Sequence, residues 1–372
     1  MWYYFKFNQK KNNLIMKKIL IVTGGSGGHV VPALNLYNHL KNEFDVFLYT
    51  DERGAKYIPK GIKKTIFEVK KIPEKKYLFP LKIFFLFFAF IKSLIHFRGS
   101  KIDIVISTGG YMSLPLVLAA KIFKKKIILF EPNSIIGRSN KFLLRFSNYI
   151  LCYDEKINIK NTEGHSYKLV IIDPILNNCF YPKPNTIEKK DDIFRILIMG
   201  GSQASLFFSK NLKSEIIQLS KKYKIEVTQQ LSSDFDIDNY KKEYDKNNIK
   251  NNLFFFEDNF LCKKNNFDIA ITRAGASSLA ELAHLNIPFI SIPFPHATDN
   301  HQYLNAKRYY DRNCCWILEE KNFNSGDIYK IINQIMANKN EYFEKKNNLM
   351  KNNENKTWES INQKYIKFLN EN

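Results

Sequence analysis

The sequence predicts an α/β protein built from two similar domains that face one another. Three observations carry that reading. The chain has 372 residues, enough for two domains. Short β-branched runs alternate with amphipathic stretches along it, as expected for parallel strands covered by helices. A glycine-rich loop follows a buried-type strand in each half. Ile19-Leu20-Ile21-Val22 leads into Gly24-Gly25-Ser26-Gly27-Gly28-His29, and Ile196-Leu197-Ile198-Met199 leads into Gly200-Gly201-Ser202-Gln203-Ala204-Ser205. Either loop alone is a weak signal; two of one design suggest two domains of one design.

Residues 1–15 are expected to be an extension or a wrongly assigned start, since Met16-Lys17-Lys18-Ile19-Leu20 is a more natural beginning. Met1-Trp2-Tyr3-Tyr4-Phe5 lacks the apolar region of a signal peptide. The first domain is set at 16–176. Its strands are predicted at Ile19–Val22, Val46–Tyr49, Ile104–Ser107, Ile127–Phe130 and Tyr149–Cys152, with a helix from Pro32 onward. Asn177 to Asp192, with Pro182 and Pro184, reads as a linker opening the second domain, 177–345. Strands follow at Arg195–Met199, Ile225–Gln229, Leu253–Phe256, Ile269–Thr272 and Phe289–Ile292. The end, 346–372, is expected to be helical and to pack back on the first domain, with Leu349, Trp358, Ile361, Tyr365 and Phe368 as one apolar stripe.

Hydrophobic residues make up 45% of the chain, which supplies real cores. The net charge of +21 implies an anionic partner: nucleic acid, a membrane surface or phosphorylated substrates. An A/T-biased coding sequence accounts for part of the lysine excess. No basic motif interleaved with aromatics supports nucleic acid. Cys152, Cys179, Cys262, Cys314 and Cys315 show no metal-ligand spacing, which argues against a zinc site and against a disulfide framework, and fits a reducing cytoplasm. Tyr77 to Phe97 holds the run Ile83–Ile91, too short to span a bilayer. Lys75, Lys76, Lys82, Lys92 and Arg98 flank or punctuate it, and a helix apolar nearly all round beside cations suits an anionic membrane interface. The alternative is a helix buried against the sheet.

The chemistry gathers at strand ends. Gly24–His29 combines close backbone approach, a helix N-terminus and a titratable imidazole. Ser107-Thr108-Gly109-Gly110-Tyr111-Met112-Ser113-Leu114-Pro115 is a further glycine turn at a sheet's carboxyl edge, where open α/β sheets bind ligands. Glu131-Pro132-Asn133 sits at the same edge, with Asn133 either bonding a sugar or capping a helix. Arg273-Ala274-Gly275-Ala276-Ser277-Ser278 precedes a helix carrying Glu281, where small residues would admit a diphosphate and Glu281 would accept from ribose hydroxyls. Asp299, His301, Gln302 and Asn305 begin another helix and suit hexose recognition. Asp234-Phe235-Asp236 spells a DxD pair, but in a polar, lysine-rich setting that argues against a metal role.

Gly24–His29, Gly109–Pro115, Glu131–Asn140, Gly200–Ser205, Arg273–Glu281 and Pro293–Ala306 together resemble the MurG family of glycosyltransferases over about residues 18–310. The resemblance implies a GT-B fold: two Rossmann-like domains around a cleft. It implies an inverting transfer of N-acetylglucosamine from UDP-N-acetylglucosamine to the undecaprenyl-diphosphate-linked muramyl-pentapeptide, lipid I. No cofactor or metal is implied. The first domain would hold the lipid acceptor, with Tyr77–Phe97 on the inner face of the membrane, and the second the donor. Carried over, Thr23, Gly24 and Gly25 line the cleft near the donor and Asn133 contacts it from the first domain. Ser202 binds a phosphate. Ala276, Ser277, Ser278 and Leu279 lie along the nucleotide, Glu281 meets the ribose, Gln302 reads the sugar and His29 is the general base. The chain departs from the family at Ser26, at Ala204 and at the domain junction, where Leu176 stands in place of an arginine that helps hold the nucleotide. Arg273 or nearby cations would have to compensate.

Overall fold

The computed structural model describes residues 16–67, 69, 79–157, 167–181, 192–201, 206–255, 257, 259–263 and 266–372. The expected N-terminal extension, the first two residues of the Tyr77–Phe97 segment, most of the expected linker (182–191) and Ser202 with its neighbours (203–205) lie outside them.

Strands β1 (Lys18–Val22), β2 (Asp45–Thr50), β3 (Thr65–Ile66), β4 (Ile104–Ser107), β5 (Lys126–Glu131), β6 (Tyr149–Cys152) and β7 (Lys168–Ile171) form one sheet in the order β3-β2-β1-β4-β5-β6-β7. All its pairings are parallel. Ile19, Leu20, Ile21 and Val22 are fully buried because helices cover both faces. The strand order reverses between β1 and β4, so a crevice opens beyond their carboxyl ends. The helices are α1 (Gly27–Leu40), α2 (Glu52–Ala55), α3 (Phe79–Arg98), α4 (Ser113–Ile122) and α5 (Arg138–Leu143). Helix α1 begins at Gly27, ahead of the expected Pro32, so His29 lies in its first turn.

The second sheet repeats the design. Strands β8 (Phe194–Met199), β9 (Ile225–Gln230), β10 (Lys250–Phe254), β11 (Ile269–Thr272), β12 (Phe289–Ser291) and β13 (Cys315–Ile317) are parallel, in the order β10-β9-β8-β11-β12-β13. Here too the order reverses beside the strand that precedes a glycine loop. Helices α6 (Leu206–Ser220), α7 (Ile237–Lys246), α8 (Phe260–Lys263), α9 (Ala276–His284), α10 (His301–Tyr310), α11 (Asp327–Ala337), α12 (Asn340–Asn353) and α13 (Trp358–Glu371) complete the chain. Asp236 of the DxD sequence caps α7, accepting from the amides of Asp238 and Asn239, and Asp234 accepts from Ser232 Oγ.

Four expectations are corrected. The strand placed at Leu253–Phe256 runs from Lys250 to Phe254. The edge strands β3, β7 and β13 were not anticipated. The single C-terminal stripe is two helices serving two cores: Leu349 packs in the second domain, whereas Ile361, Tyr365 and Leu369 pack in the first. The turn between them, with Asn355 at φ 64°, redirects the chain. Finally, Cys179 and Cys262 are joined in a disulfide, with Cα atoms 5.4 Å apart. They are separated by 83 residues, so no local spacing announced the pair.

Helix α3 is apolar on two sides with different neighbours. Ala89, Ser93 and Phe97 face inward and are buried. Ile83, Phe84, Phe87, Phe88 and Ile95 are exposed, Ile95 at 71%.

Candidate active site

The carboxyl ends of β1 and β4 bring two glycine turns together backbone to backbone. A Cβ on Gly24 would stand 2.6 Å from Met112 Cγ, and one on Gly110 would stand 2.6 Å from the Gly24 carbonyl oxygen. Gly25 and Gly110 also need positive φ, 87° and 91°. Asp51, at the end of β2, fixes the first turn: its carboxylate accepts from the Gly25 amide at 2.9 Å and the Gly54 amide at 2.8 Å, and pairs with Arg53 at 2.8 Å. Burial alone would raise this carboxyl. The two amides and the guanidinium outweigh burial and hold it below the usual carboxylate range.

His29 Nδ1 lies 2.9 Å from the Thr108 carbonyl oxygen. A carbonyl only accepts, so Nδ1 donates to it, and Nε2 is the ring nitrogen left to meet a ligand. The ring packs on Gly109, where a Cβ would come within 3.0 Å of Cε1 and Nδ1. Beside it, Glu131 is a hub. Its Oε1 accepts from Asn133 Nδ2 at 2.9 Å; its Oε2 accepts from the Gly137 amide at 2.8 Å and Asn140 Nδ2 at 3.1 Å. With both oxygens engaged and the residue 2% exposed, Glu131 holds the loop in place.

On the opposite wall, Gly275 precedes α9 with no side chain to cap it, so the first-turn amides at Ala276, Ser277 and Ser278 face the cleft. Glu281, one turn on, also lines the cleft, and its surroundings push its carboxyl up to about 8 through desolvation. Gln302 Oε1 accepts from the amides of Ala274 at 3.1 Å and Phe294 at 3.0 Å, which identifies the oxygen and leaves the NH2 group for a ligand.

A single cleft of about 1180 Å³ contains both walls. The first domain contributes Gly24, Gly25, His29 and Asn133; the second contributes Ala276, Ser277, Ser278, Glu281 and Gln302. Thr23 and Leu279 are fully buried and their side chains do not line it: Thr23 ends β1 beneath the turn, and Leu279 packs in the second core. Asp299 and His301 line the cleft, but Asn305 does not. Asn305 is 3% exposed and ties the domains together, accepting from the Ser134 amide at 2.9 Å and donating to Asn133 Oδ1 at 3.1 Å. Leu176 is core. Arg273 is committed to Glu320 and to the carbonyls of Ile292 and Pro293, with three phenyl rings around it, so it does not stand in for the missing arginine. The sequence reading missed Asp51 and Asn140; an acid ending a strand just before Glu52-Arg53-Gly54 was the available signal for the first.

The model of the glycosyltransferase family 28 N-terminal domain matches residues 19–152, and that of the family 28 C-terminal domain matches residues 195–361. A Pelagibacter ubique protein, UDP-N-acetylglucosamine--N-acetylmuramyl-(pentapeptide) pyrophosphoryl-undecaprenol N-acetylglucosamine transferase, is 43% identical over 96% of this chain and 99% of its own. Its Rickettsia felis namesake is 34% identical over 90% of this chain and 95% of its own. The crystal structure of Acinetobacter baumannii MurG superposes with a TM-score of 0.76 at 20% identity, covering 96% of this chain and all of that one, a likeness of fold. Anabaena HepE, solved with UDP and glucose, shares the fold at a TM-score of 0.60 and 12% identity.

Proposed function

This chain belongs to the MurG branch of glycosyltransferase family 28, and from that premise we propose how its cleft moves N-acetylglucosamine from UDP-N-acetylglucosamine to the lipid-linked muramyl-pentapeptide. The acceptor's C4 hydroxyl enters from the first domain and gives its proton to His29 Nε2. The oxygen attacks the anomeric carbon as the bond to UDP breaks on the opposite face, inverting the centre. The Thr108 carbonyl steadies the imidazolium that forms, as an acceptor for its Nδ1 proton. The amides that open α9 meet the negative charge growing on the leaving diphosphate. Glu281 holds the ribose hydroxyls, and the Gln302 NH2 group donates to the sugar while its oxygen keeps the donor loop in shape.

The observation that carries this reading is one His nitrogen, left basic by its neighbour, facing Glu281 and Gln302 across one cleft. Helix α3 supports peripheral attachment to the cytoplasmic membrane face: its exposed phenylalanines would enter the headgroup layer with Lys92 beside them. No described helix is long and apolar enough to cross a membrane. The test is direct. Purified protein incubated with labelled UDP-N-acetylglucosamine and a lipid I analogue should release UDP and yield the lipid-linked disaccharide. UDP release without disaccharide would reject the acceptor assignment.

A further inference from the structure

We propose that Lys210 supplies the positive charge that meets the diphosphate of the sugar nucleotide, the task left open by the leucine at position 176. This rests on the donor reading above. A departing nucleoside diphosphate gains charge, and a cation aimed at it lowers the barrier. On the second-domain wall of the cleft the described Lys and Arg residues are Arg273 and Lys210. Arg273 is neutralised by Glu320 at 2.5 Å and enclosed by Phe207, Phe208 and Phe294. The first-domain cations in the cleft are also paired, Arg53 with Asp51 and Arg138 with Asp299.

Lys210 has no carboxylate partner among the described residues, although Lys213, on the same helix, is bonded to Glu243 at 2.6 Å. It is the fifth residue of α6, on the face that also turns Leu206, Phe207 and Asn211 into the cleft. That helix follows β8 and Gly201, whose φ of 77° turns the chain at the sheet's carboxyl edge. A lysine there is a mobile point charge on a long stem, suited to following a phosphate as it leaves.

The test compares Lys210→Ala and Lys210→Arg with the wild-type chain, titrating uridine and UDP by calorimetry at two salt concentrations and measuring turnover. Losing a charge-assisted bond should weaken UDP by about 10- to 100-fold. Uridine affinity should be unchanged, the salt dependence of UDP binding should shrink, and kcat should fall. Lys210→Arg should recover most of each loss. Equal weakening of uridine and UDP would reveal a structural role and overturn the proposal. A rise in KM for the lipid acceptor with UDP affinity intact would place Lys210 on the acceptor's diphosphate and overturn it too. Failure of the wild-type chain to bind UDP would instead reject the donor reading on which the proposal stands.

Discussion

The Thr108 carbonyl oxygen can only accept, so His29 donates from Nδ1, and Nε2 is the free ring nitrogen of a side chain that lines the cleft. Two substitutions separate chemistry from architecture. His29→Ala should lower kcat by about 100-fold or more, with UDP affinity and melting temperature little changed. Gly109→Ala asks a residue at φ 97° to carry a Cβ 3.0 Å from the ring. It should displace His29 and lower kcat while UDP still binds; unchanged turnover would show that the ring's position is unimportant. Glu281 gives a pH signature. Its carboxyl is pushed up to about 8, above the ordinary 4.5, so the folded protein holds that proton longer than the unfolded chain. Its contribution to stability is therefore complete below 4.5 and is lost as pH rises through 8. On the proposed role, in which ribose hydroxyls donate to this carboxylate, UDP affinity should be about tenfold weaker at pH 7 than well above pH 8, with Glu281→Gln abolishing that slope. A slope that survives in Glu281→Gln would remove Glu281 from the ribose. Much of this site was legible in the residues, because glycine loops, a histidine and an acid at strand ends are local signals. Asn305 was misread because its role is set by Asn133 and Ser134, on another domain.

At the scale of elements, the long buried strands were legible from their β-branched runs, whereas β3 and β13 have two and three residues and no period to detect. Helix α3 was ambiguous for a physical reason. It is apolar on both sides, and only packing distinguishes the Ala89–Ser93–Phe97 face, laid on α4 and the sheet, from the face bearing Phe84, Phe87 and Phe88. The exposed face predicts its own experiment. Replacing Phe84, Phe87, Phe88 and Ile95 with Gln removes no core contact, so UDP affinity and melting temperature should hold. Binding to anionic vesicles should be lost, and in the wild-type chain it should weaken as salt screens Lys92 and its neighbours. Vesicle binding that persists in the variant would refute membrane attachment through α3.

Across the whole molecule, the two domains meet at an aromatic joint. His39 of α1 stacks on Trp358 of α13 at 3.9 Å, and Tyr181 of the connecting segment lies edge-on to Trp358 at 5.5 Å and to His284 of α9 at 4.7 Å. Each domain and the C-terminal helix thus contributes a ring, and His39 Nε2 also bonds the Leu176 carbonyl at 2.8 Å. Burial disfavours the charged form of both histidines. Burial lowers His39, against its bonds to Asn362 and Leu176; burial and then Lys356 lower His284 to about 4. A base whose folded value lies below its ordinary 6.5 takes up its proton more readily in the unfolded chain. Stability is therefore whole above 6.5 and is lost as pH falls from 6.5 toward 4. The melting temperature should be flat near pH 7 and decline through that window. His284→Gln, which keeps a polar group but cannot titrate, should flatten the decline in part, and His284→Gln with His39→Gln should flatten it further. Because His284 sits three residues after Glu281 on α9, acidification should loosen the joint from the helix proposed to hold the donor. A decline of full size in the double variant would assign the acid limb to carboxylates such as Asp51 and leave the joint without a role in it.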